Sequence, residues 1–202
     1  MSQAIHSSQR VFGPSQTILA AAYRLLVDQG FGAMSMRGLG ALAGMQAGSL
    51  YHHFSGKQDV LEEVLHHLLQ QRLDSWLVHK PATAHVLLGL EAFVSFHVEY
   101  VLERPEEQSL LRSERRYLQD DAKQRLDRLE CRYRQELRDL IAVGTRKGLF
   151  RAADVEMTTN ALFALLEGVD AIVGTRSSKA QSEMRDWMIA LSRRLLQVEV
   201  DD

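Results

Sequence analysis

The sequence predicts an all-α protein, and three of its features support this fold class. Only three of the 202 residues are prolines, the residue most disruptive to helices, and 46% are hydrophobic. Apolar residues, mainly Ala and Leu, recur at helical spacing, and no segment alternates apolar and polar residues as a half-buried strand does. A chain of this length can bury a substantial core in one or two domains. We expect about nine helices.

The composition narrows the classes of protein that the chain can belong to. A single cysteine allows no internal disulfide and fits a reducing cytoplasm. No segment reaches the roughly 18 apolar residues that a membrane span needs, so we expect a cytoplasmic protein with no membrane partner. The net charge of −2 argues against a general polyanion binder, but residues 1–60 carry four basic and two acidic side chains. This small basic excess would give a weak attraction to phosphates that salt removes.

The N-terminal part of the chain predicts a mobile arm followed by three helices. Residues 1–13 are polar and form the predicted arm. Pro14 suits the first turn of a helix that ends near Gly30. The stretch 35–54 then predicts two short helices joined by a tight turn.

The helix pair has clear start and stop signals. Ser35 can cap the first helix, Gly44 breaks it, and the second helix is predicted to run from about Gln46 through Phe54. On spacing alone, the pair is either an ordinary αα-hairpin or a helix-turn-helix whose second helix enters the DNA major groove.

The remaining helices follow from apolar stripes and from proline, glycine and aspartate positions. Their predicted spans are Lys57 to Leu77, Ala84 to Glu103, a short helix from Pro105 through Tyr117, Asp120 to Gly144 or Gly148, Val155 to Gly174, and Lys179 to Val198.

Two strings, ILAAAYRLLVDQGF and AGMQAGSLYHHFSGKQDVL, resemble the DNA-binding domain of the TetR family of bacterial transcriptional regulators. The resemblance implies a three-helix DNA-binding domain over 14–60, with the helix-turn-helix at about 35–54, and a ligand-binding and dimerisation domain over 61–202. Two features depart from the family pattern. Gln46 replaces the usual Ser or Thr cap, and Gly38 and Gly40 stand where better helix formers are usual, each at a cost of about 1 kcal/mol relative to Ala.

The same resemblance implies which residues meet double-stranded operator DNA. It places Tyr51 and Lys57 on the phosphate backbone and the face around Gln46, Gly48 and His52 against base edges. Gln46 could pair with adenine through two hydrogen bonds, and small residues beside it would let the helix approach closely. The predicted DNA-binding residues are Ser35, Arg37, Gln46, Ala47, Gly48, Ser49, Tyr51, His52 and Lys57.

A ligand site is predicted among the central helices, where regulators of this family hold their effector. Phe93, His97 and Tyr100 share one helix face, which is either plain core or a pocket lining. Arg115 and Arg116 form either a solvated charged face or a guanidinium group at the pocket mouth, suited to a carboxylate or phosphate. A loose likeness to family members that sense acyl-CoA or other catabolic acids favours such a small-molecule effector. The predicted ligand-binding residues are Phe93, His97, Tyr100, Arg115, Arg116, Tyr117 and Tyr133.

The last two helices carry apolar stripes with no evident cover elsewhere in the sequence. The stripes either belong to the core of a monomer or, as the resemblance implies, pack against their copies in a four-helix dimer interface. The predicted interface residues are Leu165, Val169, Ile172, Trp187, Leu191 and Leu195.

Together these features predict a homodimeric DNA-binding regulator, a repressor that a small-molecule effector releases from its operator. The alternatives are a helical protein-binding adaptor and an enzyme that does not bind DNA. The sequence contains no G-x-S-x-G, H-E-x-x-H, P-loop or Rossmann glycine motif. We therefore predict no enzymatic activity, no cofactor and no metal site.

Overall fold

A computed structural model describes residues 14–173 and 178–198. These residues contain ten α-helices, one 3₁₀ helix and no β-strand, which confirms the all-α prediction. The predicted arm at 1–13 lies outside the described residues. The helices are α1 (Pro14–Ala33), α2 (Met36–Ala43), α3 (Ala47–Leu50), α4 (Lys57–His79), α5 (Val86–Glu103), α6 (Pro105–Glu114), the 3₁₀ helix (Arg115–Tyr117), α7 (Asp120–Arg146), α8 (Val155–Glu167), α9 (Val169–Val173) and α10 (Ser178–Leu195).

Two predicted helices differ from the observed ones. Gly30 takes a non-helical conformation (φ 72°, ψ 167°) at the predicted end of the first helix, and one further helical turn, included in α1, follows it. The helix predicted from Val155 to Gly174 is divided into α8 and α9, because α8 ends at its C-cap Gly168; the predicted end at Gly174 lies outside the described residues. Both differences come from glycines inside an apolar pattern that continues on either side of them.

The chain divides into two compact units. The first comprises the residues up to Val64 together with Arg116–Leu118, and the second comprises Leu65–Arg115 and the residues from Gln119 onward. Helix α4 is continuous from Lys57 to His79, so it begins in the first unit and continues in the second. None of the described helices is long and apolar enough to cross a membrane.

The first unit is built on the helix pair that the sequence predicted. Ser35 caps α2, its Oγ accepting a hydrogen bond from the Gly38 N–H at 3.1 Å. Gly44 ends α2 in the left-handed conformation (φ 68°), which glycine adopts without steric cost. Both predicted boundaries of this helix are confirmed.

Gly40 has a packing role that its helix propensity does not reveal. A Cβ atom on Gly40 would lie 2.9 Å from the Met45 carbonyl oxygen and 3.3 Å from the Ala47 nitrogen. The absence of a side chain therefore lets the turn and the start of α3 pack directly on α2. By contrast Leu42, on the same helix, is exposed.

The second unit is centred on α5, which packs against α7, α8, α9 and α10. Ten of its 18 residues are buried, so the helix is covered by its neighbours on several sides. Trp76 of α4 is also buried and meets the Phe93 ring edge-on, with centroids 4.9 Å apart. This packing fixes the core in which the candidate ligand residues lie.

Candidate DNA-binding and ligand-binding sites

Helix α3 is a single turn, shorter than predicted. It spans Ala47–Leu50, and the next three residues continue as a turn in which the His53 N–H donates to the Leu50 carbonyl at 2.9 Å. Hydrogen bonds to the carbonyl three residues back tighten the chain and end the α-helix. Buried Leu50 and Phe54 hold the segment on the first unit, while Tyr51 and His52 between them are exposed.

The outer face of α3 and its turn is open to a partner. Gln46 is exposed and its side chain makes no capping hydrogen bond, so its amide is available for recognition. A Cβ atom on Gly48 would meet nothing within 4 Å, and Tyr51 is 57% exposed. Ala47 and Ser49 are half-buried; Ser35 and Arg37 are exposed. The arrangement suits a short helix whose exposed side chains contact base edges and are flanked by side chains that can bind phosphate.

Lys57 has an internal role that the sequence did not reveal. Its Nζ donates to the carbonyl oxygens of Phe31 at 3.3 Å and Gly32 at 3.5 Å, and it lies 4.5 Å from the centre of the Phe31 ring. A cation at the C-terminal end of a helix is stabilising, so Lys57 holds the last turn of α1. Its contact with DNA phosphate stays a prediction.

Arg116 and Tyr117 belong to the first unit rather than to the aromatic cluster around Phe93. The Tyr117 ring packs on Phe31 with centroids 5.2 Å apart, and the Arg116 guanidinium lies 4.8 Å from the Tyr117 ring centre. These contacts lie within the first unit, and a ligand contact of Arg116 and Tyr117 stays a prediction.

Arg115 follows the charged-face alternative. Its guanidinium donates to Glu130 Oε1 at 2.7 Å and pairs with Asp127, both on the surface of α7. It does not turn inward as the pocket prediction required, because these two carboxylates already satisfy it.

Three of the predicted ligand residues do come together in the second unit. Phe93 and Tyr133 have ring centroids 5.1 Å apart, and His97 Nδ1 lies 3.2 Å from the Tyr133 hydroxyl. All three are buried. Tyr100 is also buried, but its ring packs on Phe96 and under the Arg104 guanidinium.

A buried arginine beside these rings was missed by the sequence analysis. Arg72 is 3% exposed; its Nη1 donates to Glu167 Oε1 at 2.8 Å, and its guanidinium lies 4.8 Å from the Tyr133 ring centre. Its position three residues after Leu69 and four before Trp76, on the buried stripe of α4, was the available signal. We call Arg72, His97, Tyr133 and Glu167 the arginine cluster.

Two polar atoms of the arginine cluster are buried without a hydrogen-bond partner, Arg72 Nε and His97 Nε2. His97 Nε2 faces Glu167 Oε1 at 3.9 Å, too far for a hydrogen bond. Burial, and then the charge of Arg72, hold the pKa of His97 well below its usual value, so the imidazole is neutral at pH 7. The cluster thus contains unsatisfied donor capacity around one carboxylate.

Burial also shifts the pKa of Tyr100 on α5 and of Glu107 on α6. Burial, followed by the nearby Glu107 carboxylate, raises the pKa of Tyr100 to about 12. Burial likewise raises the pKa of Glu107. Burial therefore favours the protonated forms of Tyr100 and Glu107.

A groove opens on the surface beside the arginine cluster. It has a volume of about 410 Å³ and is lined by Glu130, Arg134, Asn160, Phe163, Ala164 and Glu167. Phe163 lies edge-on to His97 with ring centroids 5.5 Å apart, and Glu167 reaches inward to Arg72. These two residues connect the groove with the cluster behind it.

The predicted dimer stripes are largely uncovered. Trp187 is 53% exposed and Leu191 is half-buried. Val169, by contrast, is fully buried within the chain, where α9 packs on α5 and α10, and its place in the interface stays a prediction. The exposed large apolar residues of α8, α9 and α10, which we call the apolar face, are Met157, Leu165, Ile172, Trp187 and Leu195.

Comparison with known families identifies both parts of the chain. Residues 18–64 match the family model of the bacterial regulatory proteins of the tetR family, and residues 89–171 match that of the tetracyclin repressor-like C-terminal domain. The chain belongs to the TetR family. This TetR protein is therefore a ligand-responsive DNA-binding transcriptional regulator, and regulators of the family are generally non-enzymatic.

Individual relatives agree with this assignment. This chain is 28% identical over 143 residues to the HTH-type transcriptional repressor KstR2 of Mycobacterium tuberculosis, and the match covers 66% of this chain and 68% of the relative. A tetR-family regulatory protein from Rhodococcus RHA1 shares the fold with a TM-score of 0.81 at 18% identity, over 94% of this chain and all of the other. AibR, whose structure contains isovaleryl coenzyme A and operator DNA, has a TM-score of 0.76 at 19% identity, over 89% of this chain and 97% of the other.

Proposed function

We propose that this TetR protein is a cytoplasmic, homodimeric repressor without enzymatic activity, which a small-molecule effector releases from operator DNA. We place it in the cytoplasm because the bacterial chromosome, which carries the proposed operator, lies there. The observation that carries the proposal is the exposed face of α3 and its turn, held by buried Leu50 and Phe54 in a chain of this family. In this proposal residues 14–60 bind DNA and residues 61–202 bind the effector and the second subunit.

On the DNA side, we assign Gln46 and His52 to base edges and Tyr51 to a phosphate, with Arg37 and Ser49 beside them. Exposure of Gln46, Tyr51 and His52 supports this assignment, as does the open space above Gly48. An amide that pairs with adenine through two hydrogen bonds discriminates against the wrong base by about 1–3 kcal/mol.

The test is a fluorescence-anisotropy titration of the full chain with labelled DNA from upstream of its own gene. Gln46→Ala should change base preference at one position in each half-site. Gln119→Ala is the matched control, because Gln119 is also an exposed residue that precedes a helix without a side-chain cap. If Gln46→Ala weakens binding equally on every sequence, Gln46 positions the protein and does not read bases. If the unmodified chain binds unrelated DNA equally well, the repressor proposal fails.

On the ligand side, we propose that the effector is an acyl-CoA or another catabolic acid bound at the groove and the cluster behind it. The isovaleryl coenzyme A in the AibR structure supports this class. A thermal-shift screen of the full chain against acyl-CoAs and free acids tests it, because a ligand that binds only the folded state must raise Tm.

We further propose that the apolar face mediates dimerisation. Several large apolar side chains exposed on adjoining helices commonly mark an interaction surface. A dimer also supplies the two DNA-binding units that a palindromic operator requires.

A further inference from the structure

We propose that Glu167 is the internal occupant of an anion-binding subsite built around Arg72, and that the effector carries a carboxylate which takes the place of Glu167. The inference rests on the proposed effector binding by the second unit. It narrows the effector to a free acid, or to an acyl-CoA whose acyl chain also carries a carboxylate, and it adds the residue that receives this carboxylate and the residue that the carboxylate displaces.

The subsite is recognised by how incompletely Glu167 fills it. A guanidinium can hold a carboxylate through two parallel N–H bonds, yet Arg72 gives Glu167 one bond at 2.8 Å, and its Nε has no partner. When the Tyr133 hydroxyl donates to His97 Nδ1, the proton of the neutral ring lies on Nε2, which also has no partner and faces the same Glu167 oxygen at 3.9 Å. A mobile carboxylate placed between Arg72 and His97 can satisfy both donors.

Access to the subsite comes from the groove. Glu167 is 33% exposed and lines the groove, whereas Arg72 behind it is 3% exposed. The Glu167 side chain can therefore swing outward and leave Arg72 to an entering group. A groove of about 410 Å³ lies within the range of about 300–1,000 Å³ typical of small-molecule sites, and Phe163 offers an apolar surface for a tail.

The charge of the entering group follows from Arg72. Removing the partner of a buried charge is strongly destabilising, so a neutral or cationic molecule cannot take the place of Glu167. Because the present occupant is a carboxylate, we assign a carboxylate to the effector rather than a phosphate. The exchange would also break the direct link between α4 and α8, and α4 is the helix that begins at Lys57 immediately after the DNA-binding motif.

Chemical rescue of Glu167→Ala in the full chain tests the subsite. Thermal unfolding is followed in sodium acetate, sodium phosphate and sodium chloride at equal ionic strength, and in acetamide. We expect acetate to raise Tm by about 3–6 °C at roughly ten times its Kd, with no such rise in the other three solutions. The unmodified chain should not respond, since its own carboxylate already occupies Arg72. Equal effects of acetate and chloride overturn the proposal, and an equal effect of phosphate overturns the choice of a carboxylate.

Two controls tie the response to Arg72. Adding Arg72→Met to Glu167→Ala should abolish the acetate response, and persistence of the response would place the anion elsewhere. Asp170→Ala removes a carboxylate from the exposed Arg112 and should give no response, because that guanidinium stays solvated. If Glu167→Ala does not fold, Glu167→Gln keeps the volume while removing the charge, and the same acetate series applies.

Operator affinity distinguishes an effector subsite from a merely structural ion pair. Acetate at Arg72 has no covalent link to α8, so Glu167→Ala should stay about tenfold weaker than the unmodified chain on its operator even when acetate restores Tm. Acetate that restores operator affinity together with Tm would make Glu167 structural only. If the unmodified chain binds its operator but acetate does not stabilise Glu167→Ala, this inference alone is overturned. If acetate stabilises Glu167→Ala but the unmodified chain binds no operator, the proposed function alone is overturned.

Discussion

Burial of His97 in the second unit makes one contribution to the stability of the protein depend on pH. His97 is neutral because burial and the neighbouring Arg72 disfavour its charged form. In the unfolded chain the same imidazole is free to bind a proton near pH 6.5. The unfolded state therefore gains protons as the pH falls through 6.5, while the folded state does not.

His97 should consequently reduce stability at acidic pH. Below about pH 6.5 and above the lowered folded-state pKa, the free energy of unfolding of the unmodified chain should fall by up to about 1.4 kcal/mol per pH unit relative to His97→Gln. Glutamine does not titrate, so the difference between the two slopes isolates His97. Urea unfolding at several pH values between about 7.5 and 5, a range that spans the ordinary pKa of histidine, measures this difference in slope. Parallel slopes would mean that His97 is protonated in the folded state.

Gly40 is the residue-scale test of the helix-turn-helix packing. Gly40→Ala should reduce the free energy of unfolding by about 1–3 kcal/mol, because its Cβ would press on the backbone of Met45 and Ala47. Gly32→Ala is the matched control, since a Cβ there meets nothing within 4 Å and should be neutral or slightly stabilising. Equal stability of both variants would show that the turn adjusts to an added methyl group.

At the scale of helices, features that depend on neighbouring residues can be predicted from the sequence more readily than contacts between residues far apart in the chain. Ser35 and Gly44 act on the backbone within a few residues, so the boundaries of α2 followed from the sequence. The partners of Lys57 and Arg72 lie far away in the chain, and no spacing pattern in a single sequence reports them. For the same reason Arg116 and Tyr117 were assigned to the ligand pocket, although Tyr117 packs on Phe31.

Two substitutions near the predicted DNA-binding surface should affect different properties of the protein, one its stability and the other its affinity for the operator. Lys57→Ala should lower the free energy of unfolding by about 1 kcal/mol, because it removes the cation from the end of α1. Tyr51→Ala should weaken operator binding without a comparable loss, because Tyr51 is mostly exposed. Urea unfolding and anisotropy titrations on both variants separate the effects. A Lys57→Ala chain with unchanged stability would leave phosphate contact as the role of this residue.

At the scale of the whole molecule, the proposed dimerisation through the apolar face predicts how substitutions there change the oligomeric state. Leu165→Glu combined with Trp187→Glu should yield monomers, because carboxylates cannot be buried unpaired against a second subunit. Both side chains are exposed within one chain, so the fold should persist. Leu88→Glu, an exposed apolar position on α5, should stay dimeric. Sedimentation velocity measures the three chains, and a dimer in the double variant would move the interface elsewhere.

Footprinting of the DNA upstream of the protein's own gene is the most direct test of a dimeric, operator-specific regulator. The unmodified chain should protect a palindromic site whose half-sites lie one DNA turn, about 34 Å, or a multiple apart, so that both recognition helices enter the major groove on one side of the duplex. The Leu165→Glu, Trp187→Glu variant should lose this protection with every predicted DNA-binding residue intact. Protection of a palindromic site by the unmodified chain but not by the variant is the result predicted here; uniform protection of all sequences, or undiminished protection by a monomer, would contradict it.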